Sequence, residues 1–469
     1  MSNTLGNPKF GFPLLLVLVT GLAGNAGAAD PVPYRTDAYP LTLSASAGLS
    51  HTISVSDARW LRVHFQSYDI VDSEITIAAS AGGESQTLHG FDISTWNEAS
   101  AFFDGNSLLL TLVLAPGEAG ASVTIDELSV GVPRIEPAPS LCGNDDRVAV
   151  AGGRVARLMP AGCTAWPISN GAFLTAGHCV DADPDQNGPL LPDGIIDTGG
   201  LQMVEFNVPA SDANGTTNAS SPQDQFPVDL VDADANGIPD TMFFNYDGEG
   251  TGLGKDWAVF RVNNNTTTGE NPHVGRGFFR TTRTDPTAGV SQMRITGYGV
   301  DSTPAGSGGG RNADNQTNQT STGTYTSETT TNSNQIRLRY EVDTTGGNSG
   351  SPIIRVSDGL TYGIHTNAGC GAIFGSNSGT SFEVNDLENA INAFTGLLPE
   401  HVDPGHSPIN QPVAANGSMM EPWDTIAGAV SGALPGGIIS IVTGNYGEGP
   451  IVINKNVKLV APVGAVTIE

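Results

Sequence analysis

Asp343-Thr344-Thr345-Gly346-Gly347-Asn348-Ser349-Gly350-Ser351-Pro352 is the stretch on which the reading of this chain turns. Its glycines allow a tight backbone turn, so the amides of Gly347 and Ser349 can point together at one developing negative charge. A serine hydroxyl is a weak nucleophile until a neighbouring base takes its proton. Glycine-framed serines also occur on strand-to-helix elbows. Here Pro352-Ile-Ile-Arg-Val continues as a β-branched strand, which points to an all-β scaffold.

The base and its orienting acid are sought upstream. In Gly171-Ala-Phe-Leu-Thr-Ala-Gly-His178-Cys179 an apolar strand feeds a short turn that presents His178 at a strand end. An imidazole there can act as a general base. Lys255-Asp256-Trp-Ala-Val-Phe places a carboxylate just before another apolar strand, where it can hold the imidazole tautomer. Asp247 is its competitor for that role. The chain order is His, Asp, Ser, one of the orders known for such triads.

Together these segments resemble the trypsin family. Thr175-Ala-Gly-His-Cys179 is similar to its histidine motif, Asp256-Trp-Ala-Val to its aspartate motif, and Met293-Arg-Ile-Thr-Gly-Tyr-Gly to another of its strands. Gly346-Gly-Asn-Ser-Gly-Ser-Pro352 resembles the serine motif of the bacterial glutamyl endopeptidases within that family. The likeness covers residues 140–397 and implies a two-barrel chymotrypsin-like serine protease domain. It further implies a catalytic triad of His178, Asp256 and Ser349 and an oxyanion hole from Gly347 and Ser349. Protein or peptide substrates and no catalytic cofactor follow as well. The disulfides it implies are Cys163–Cys179 and Cys142–Cys370. For the specificity pocket it gives two conflicting signals. Asp343, six residues before Ser349, stands where trypsin-like enzymes attract Arg or Lys. Thr344 and His365, the latter in Gly363-Ile-His-Thr366, match the branch whose histidine receives Glu or Asp. Asn348 departs from the aspartate that receives a new N-terminal ammonium in trypsin-type zymogens, and Pro133-Arg134-Ile135 reads as a processing site.

The 469 residues suggest roughly two to four domains. With 60 glycines and 38% hydrophobic residues, the composition is that of a turn-rich β protein. Acidic residues outnumber basic ones 48 to 20, a net charge of −28 that repels phosphate backbones and anionic lipid. Lys9, an apolar run and Ala26-Gly-Ala28 read as a signal peptide over 1–28, so the chain is expected to be secreted, extracellular or periplasmic. No later stretch is apolar and long enough for a membrane span. Export permits disulfides, and four cysteines by themselves allow three pairings.

Residues 30–133 alternate in the strand manner, as in Glu74-Ile-Thr-Ile-Ala-Ala79, and read as a β-sandwich resembling CUB-like or jelly-roll modules. Residues 301–334, dominated by Thr, Asn, Ser and Gly, read as a mobile surface loop. Residues 415–469 begin with a helical stretch at Trp423 and continue with short parallel-type strands, resembling the first rungs of a β-helix. The expected architecture is therefore all-β: a sandwich, two barrels and a truncated β-helix-like segment. The flanking β modules offer surfaces for extracellular binding. A catalytically silent β-module adhesion protein and a polysaccharide lyase or binder are the competing function classes. The first would not need all three of His178, Asp256 and Ser349, and the second lacks a catalytic set.

Two acidic loops carry alternating oxygen side chains of the kind that suit calcium. One is Asp232-Ala-Asp234-Ala-Asn236-Gly, closed by Asp240; the other is Asp181-Ala-Asp183-Pro-Asp185-Gln-Asn187-Gly. Both lie between His178 and Asp256, so an ion there would order an insertion and take no part in catalysis. Calcium is expected to raise the unfolding temperature and a chelator to lower it, with millimolar magnesium as the control; calorimetry that is flat to both refutes the assignment.

Overall fold

The computed structural model describes residues 32, 34–80, 83–132, 140–180, 201–233, 239–246, 253–303, 310–370, 375–395, 399–406 and 415–469. The signal segment 1–28, the 133–135 processing site, Asp183, Asp185, Asn187, Asp234, Asn236 and Asp247 lie outside these residues.

The first unit contains β1 (Tyr34–Ser44), β2 (Ser50–Ser54), β3 (Trp60–Asp69), β4 (Glu74–Ala79), β5 (Ser85–Leu88), β6 (Phe103–Asp104), β7 (Ser107–Val113) and β8 (Ser122–Gly131). A one-turn helix, α1 (Gly90–Thr95), joins β5 to β6. Two four-stranded sheets form, in the orders β1-β8-β3-β6 and β2-β7-β4-β5. That eight-stranded double sheet is a jelly roll. Strict alternation explains it: in β4 every second residue, Ile75, Ile77 and Ala79, is buried. Their shared core, with Trp60, Phe102 and Phe103, also takes in Met159, Met203 and Ala219 from beyond the module.

Next come β9 (Val148–Ala149), β10 (Ala156–Pro160), β11 (Cys163–Pro167), β12 (Phe173–Thr175), β13 (Leu201–Glu205), β14 (Gln225–Pro227), β15 (Phe243–Asn245) and β16 (Trp257–Phe260). Strand β9 pairs with Gln319 and Thr320 of the second barrel, whereas β10–β16 form one sheet in the order β14-β13-β10-β11-β12-β16-β15. A bridge between Val228 and Val262 brings its two sides together. Phe173, Phe206, Phe226 and Phe260 fill the interior. Arg157 and Glu205 form a fully buried ion pair at 2.6 Å, and Arg157 also donates to Asn218 O at 2.7 Å. Two hydrogen bonds from the guanidinium to Glu205 Oε2, at 2.9 and 2.6 Å, offset part of the cost of burying the two charges.

The second barrel is built from β17 (Gln292–Gly297), β20 (Gln319–Asn332), β21 (Gln335–Glu341), β22 (Pro352–Arg355), β23 (Thr361–Asn367) and β24 (Asn377–Ser381), with the small hairpin β18 (Ser302–Thr303) and β19 (Gly310–Arg311) beside it. The order β17-β22-β23-β24-β21-β20 closes through pairing of β17 with β20. The 301–334 segment is thus corrected from surface loop to structure: β20 is a fourteen-residue strand. Its Thr residues are β-branched and suit a half-buried pleated surface, and that outweighs the polar composition. Helix α2 (Asn385–Ala393) packs Leu387, Ala390 and Ile391 into a core with residues of both barrels.

The third unit begins earlier than residue 415. Its strands are β25 (Pro399–Val402), β26 (Ile438–Ile441), β27 (Gly444–Tyr446), β28 (Lys458–Val460) and β29 (Val466–Ile468). They pair in parallel as β25-β26-β28 and β27-β29. Thr425 caps α3 (Ile426–Gly432), accepting from Gly428 N. Arg280 clamps this unit to the barrels through both oxygens of Asp403, at 2.7 and 3.0 Å. No helix among the described residues is long and apolar enough to cross a membrane.

The sandwich is fastened to the first barrel by hydrogen bonds. Gln225 accepts from Phe102 N–H and donates to Phe102 O, both at 2.8 Å. Asp104 accepts from Ala219 N–H at 2.6 Å. Burial, with a lesser push from Glu205, lifts the Asp104 carboxyl to about 7 despite that bond. A carboxyl raised in the folded state loses stability as pH climbs from its unfolded value through the folded one, so the cost is complete above pH 7. Asp104→Asn, which retains the acceptor oxygen, should stabilise the protein at pH 8 by about 2–4 kcal/mol and leave it unchanged near pH 3. Thermal unfolding of both proteins across that range checks the sign.

Candidate active site

His178 lies in a single 3-10 turn, Gly177–Cys179, at the end of β12. The Cys163–Cys179 disulfide ties that turn to the start of β11. Asp256 immediately precedes β16, the neighbour of β12 in the sheet. Its carboxylate is spent entirely on His178: one oxygen accepts the backbone N–H at 3.0 Å, the other faces Nδ1 at 2.6 Å. Both side chains are buried, at 4% and 1% exposure. The acid thereby fixes the rotation of the ring and places the proton on Nδ1. The outer nitrogen, Nε2, is buried and makes no hydrogen bond among the described residues. In this structure it therefore does not bond the Ser349 hydroxyl. Tyr246 flanks the imidazole with ring centres 5.8 Å apart.

Thr380, on β24 of the second barrel, secures the backbone of Asp256. Its hydroxyl accepts from Asp256 N–H at 3.1 Å and donates to Asp256 O at 2.8 Å. No sequence motif pointed to this residue, since a threonine in a Thr- and Ser-rich strand carries no local signal.

Ser349 sits in the turn before β22. The neighbouring Gly350 has φ +88°, and a Cβ on it would lie 2.2 Å from both Thr164 O and Thr175 Oγ1. Only glycine permits that approach, and it brings the serine turn against the end of β12, two residues before the His178 turn. Thr164 N–H donates to Ser349 O at 2.8 Å, and Trp166 Nε1 to Gly350 O at 2.8 Å. Gly347, at φ +93°, could not bear a side chain either: a Cβ would meet Tyr298 O at 2.4 Å. The amides of Gly347 and Ser349 donate to no group among the described residues.

The residues expected to line the specificity pocket have distinct placements. Asp343 accepts from Cys142 N–H at 2.6 Å and Asp146 N–H at 2.9 Å, so both its oxygens hold the segment after Ser140. Burial raises its carboxyl above the usual range, helped by Asp146 and Asp145 and opposed by those two amides. Thr344 accepts from Asn377 Nδ2 at 2.8 Å and pairs its backbone with Ser140. His365 lies on β23, buried, with Nδ1 2.6 Å from the Tyr340 hydroxyl. Burial and then the nearby His178 push its imidazole down to about 3. Asp343 and His365 therefore have separate partners and do not pair with each other. The second disulfide joins Cys142 to Cys370.

Of the calcium loops, Asp232 and Asp240 are described; Asp240 accepts from Ala233 N–H at 3.3 Å. A separate trio, Asp285, Glu328 and Glu383, converges on the Tyr362 hydroxyl at 2.6, 3.0 and 3.3 Å.

The fold and this site define a class: an all-β, two-barrel chymotrypsin-like domain whose junction holds a buried histidine–carboxylate pair beside a glycine-framed serine. Residues 163–364 match the family model of the trypsin-like peptidase domain, which supports a trypsin-like serine protease and a peptide hydrolase. No curated protein matches the chain. A protease domain implies protein substrates, and the two disulfides fit an oxidising compartment.

Thr380→Val should leave the buried N–H and C=O of Asp256 short of partners and cost about 1–3 kcal/mol of stability, measured by denaturant unfolding. Thr380→Ser should restore most of it.

Proposed function

We propose that the chain is a secreted serine endopeptidase whose triad is His178, Asp256 and Ser349. The observation that supports this most is the complete engagement of the Asp256 carboxylate by His178, next to a serine whose loop amides are unspent. Substrate enters between the barrels, and the Ser349 hydroxyl oxygen attacks the scissile carbonyl as its proton passes to His178 Nε2. The imidazolium is stabilised by Asp256, which stays ionised. The carbonyl oxygen becomes an oxyanion that accepts the N–H groups of Gly347 and Ser349. Collapse of the tetrahedral adduct breaks the C–N bond, and the leaving amine takes the proton from His178. This leaves an acyl ester on Ser349. Water then repeats the sequence, giving its proton to His178 and releasing the carboxylic acid.

For the residue before the scissile bond, Glu or Asp is favoured over Arg or Lys. The Asp343 carboxylate is consumed by two backbone amides, which weakens it as an attractor of cationic side chains. His365 and Thr344 remain as the polar groups of the resembling glutamyl branch. The acidic loops are proposed to bind structural calcium, as argued from their spacing.

A fluorophosphonate is expected to label the wild type and not Ser349→Ala. Ser349→Ala should lower peptidase kcat by about 10⁴-fold or more, and Asp256→Asn by about 10⁴-fold. Paired chromogenic peptides ending in Glu and Arg should show faster release after Glu; faster release after Arg overturns the preference, and absence of labelling overturns the peptidase reading.

A further inference from the structure

The loop that carries Gly347 and Ser349 is held from behind by a side chain of the domain's opening segment. Arg147 is enclosed, its side chain only 4% exposed. Its Nη1 donates to Thr345 Oγ1 at 2.9 Å and to Val300 O at 2.8 Å. Its Nε and Nη2 are fixed by Asp145 at 2.9 and 2.7 Å, and Asp301 lies 3.4 Å from Nη2. Asp146, the remaining carboxylate of this segment, turns away to accept from Ser321.

The fork leads directly to the serine turn. The Thr345 hydroxyl donates to Val300 O at 2.8 Å, and its N–H donates to Asn348 Oδ1 at 3.0 Å. Asn348 N–H returns to Thr345 O at 3.0 Å, and Val300 N–H meets Gly346 O at 2.9 Å. On the far side Thr164 Oγ1 donates to Gly347 O at 3.0 Å. The carbonyls of Thr345, Gly346, Gly347 and Ser349 are thus occupied, whereas the amides of Gly347 and Ser349 donate to no group among the described residues. The Arg147 segment is itself anchored by the Cys142–Cys370 bridge and by the two amides on Asp343.

We infer that Arg147 is the positioning residue of the oxyanion loop, an internal cation that holds Thr345 and Asn348 in the productive turn, so that the enzyme is active without cleavage of its own chain. The neutral Asn348 fits this arrangement. An amide is satisfied by the Thr345 N–H within its own loop, whereas a buried carboxylate would demand a separate cation. A guanidinium keeps its charge across the working pH range, whereas an α-amino group loses its proton near pH 8. The carboxylates facing Arg147 are Asp145 and Asp301. Burial opposes ionisation of Asp145, but the hydrogen bonds and charge of Arg147 carry it below the usual carboxylate range.

This rests on the serine-peptidase reading, and the test separates the two. The full chain and its Arg134→Gln variant, kept intact as judged by mass spectrometry, are assayed for peptide hydrolysis and fluorophosphonate labelling from pH 6 to 10. Intact protein of both kinds is expected to be active, without the alkaline loss that deprotonation of an α-amine would produce. Arg147→Gln should lower kcat roughly 10- to 100-fold with little change in KM, since one mispositioned oxyanion donor costs at least that much. Arg147→Lys, which reaches one acceptor but not both, should recover part of the loss. Thr345→Val removes the hydroxyl that accepts from Arg147 and donates to Val300 O, and should reproduce the kcat defect if Arg147→Gln fails to fold. Activity that appears only after cleavage, or an unchanged kcat in folded Arg147→Gln and Thr345→Val, overturns the inference. Failure of every intact or cleaved form to label would instead overturn the peptidase reading.

Discussion

Thr164 is the point at which the two barrels become one device. Its N–H binds Ser349 O, its hydroxyl donates to Gly347 O and accepts from Tyr298 N–H, and its carbonyl accepts from Thr175 Oγ1. One residue on a first-barrel strand therefore fixes the serine turn of the second barrel and the strand end that delivers the histidine. The candidate site needs both barrels, since the imidazole and carboxylate come from one and the serine from the other. The Thr380 clasp on Asp256 runs in the opposite direction, from the second barrel to the first. These reciprocal contacts fix distances that side-chain rotation alone would leave loose, which is what proximity effects in catalysis require.

The His178 and Ser349 motifs were legible in the chain because their geometry is local. A turn that needs glycine at positive φ, followed at once by a β-branched strand, can be read without knowing what it packs against. Asp256 was harder, because a carboxylate gains meaning only when a strand 78 residues away is laid beside it. Asp343 shows the limit more sharply. Its spacing from Ser349 suggested a pocket base, yet the coil around Cys142 folds back and takes both oxygens. Thr380 and Arg147 left no trace, as each acts through a contact made only in three dimensions. The polar composition of β20 suggests a loop, but its alternation is that of a strand. Its buried Gln319, Ser321 and Tyr325 follow the spacing of a pleat wherever the partner strands cover it.

Charge complicates a chain with this much acid. The described arginines are largely committed within the fold, to Glu205, Asp145, Asp224, Asp358 and Asp403. These carboxylates are largely removed from water by packing, whereas Asp343 and Asp104 are held by backbone amides instead. The arginine beside each of the former offsets the cost that an unpaired buried carboxylate would carry, while repulsion between charges in high dielectric is weak.

Gln225 gives the arrangement of modules a meaning for descent as well as for folding. Its amide closes a two-bond ring on the backbone of Phe102, as though the sandwich lent the barrel an extra strand, while Met159 and Met203 complete the sandwich core. A barrel recombined with a different leading module would retain its chemistry but present a torn wall, with two methionines and a primary amide facing water. The sandwich and the first barrel are therefore a single heritable unit. Sequence change at their seam should proceed as matched pairs, not by the exchange of whole modules that the linear order of the chain would suggest.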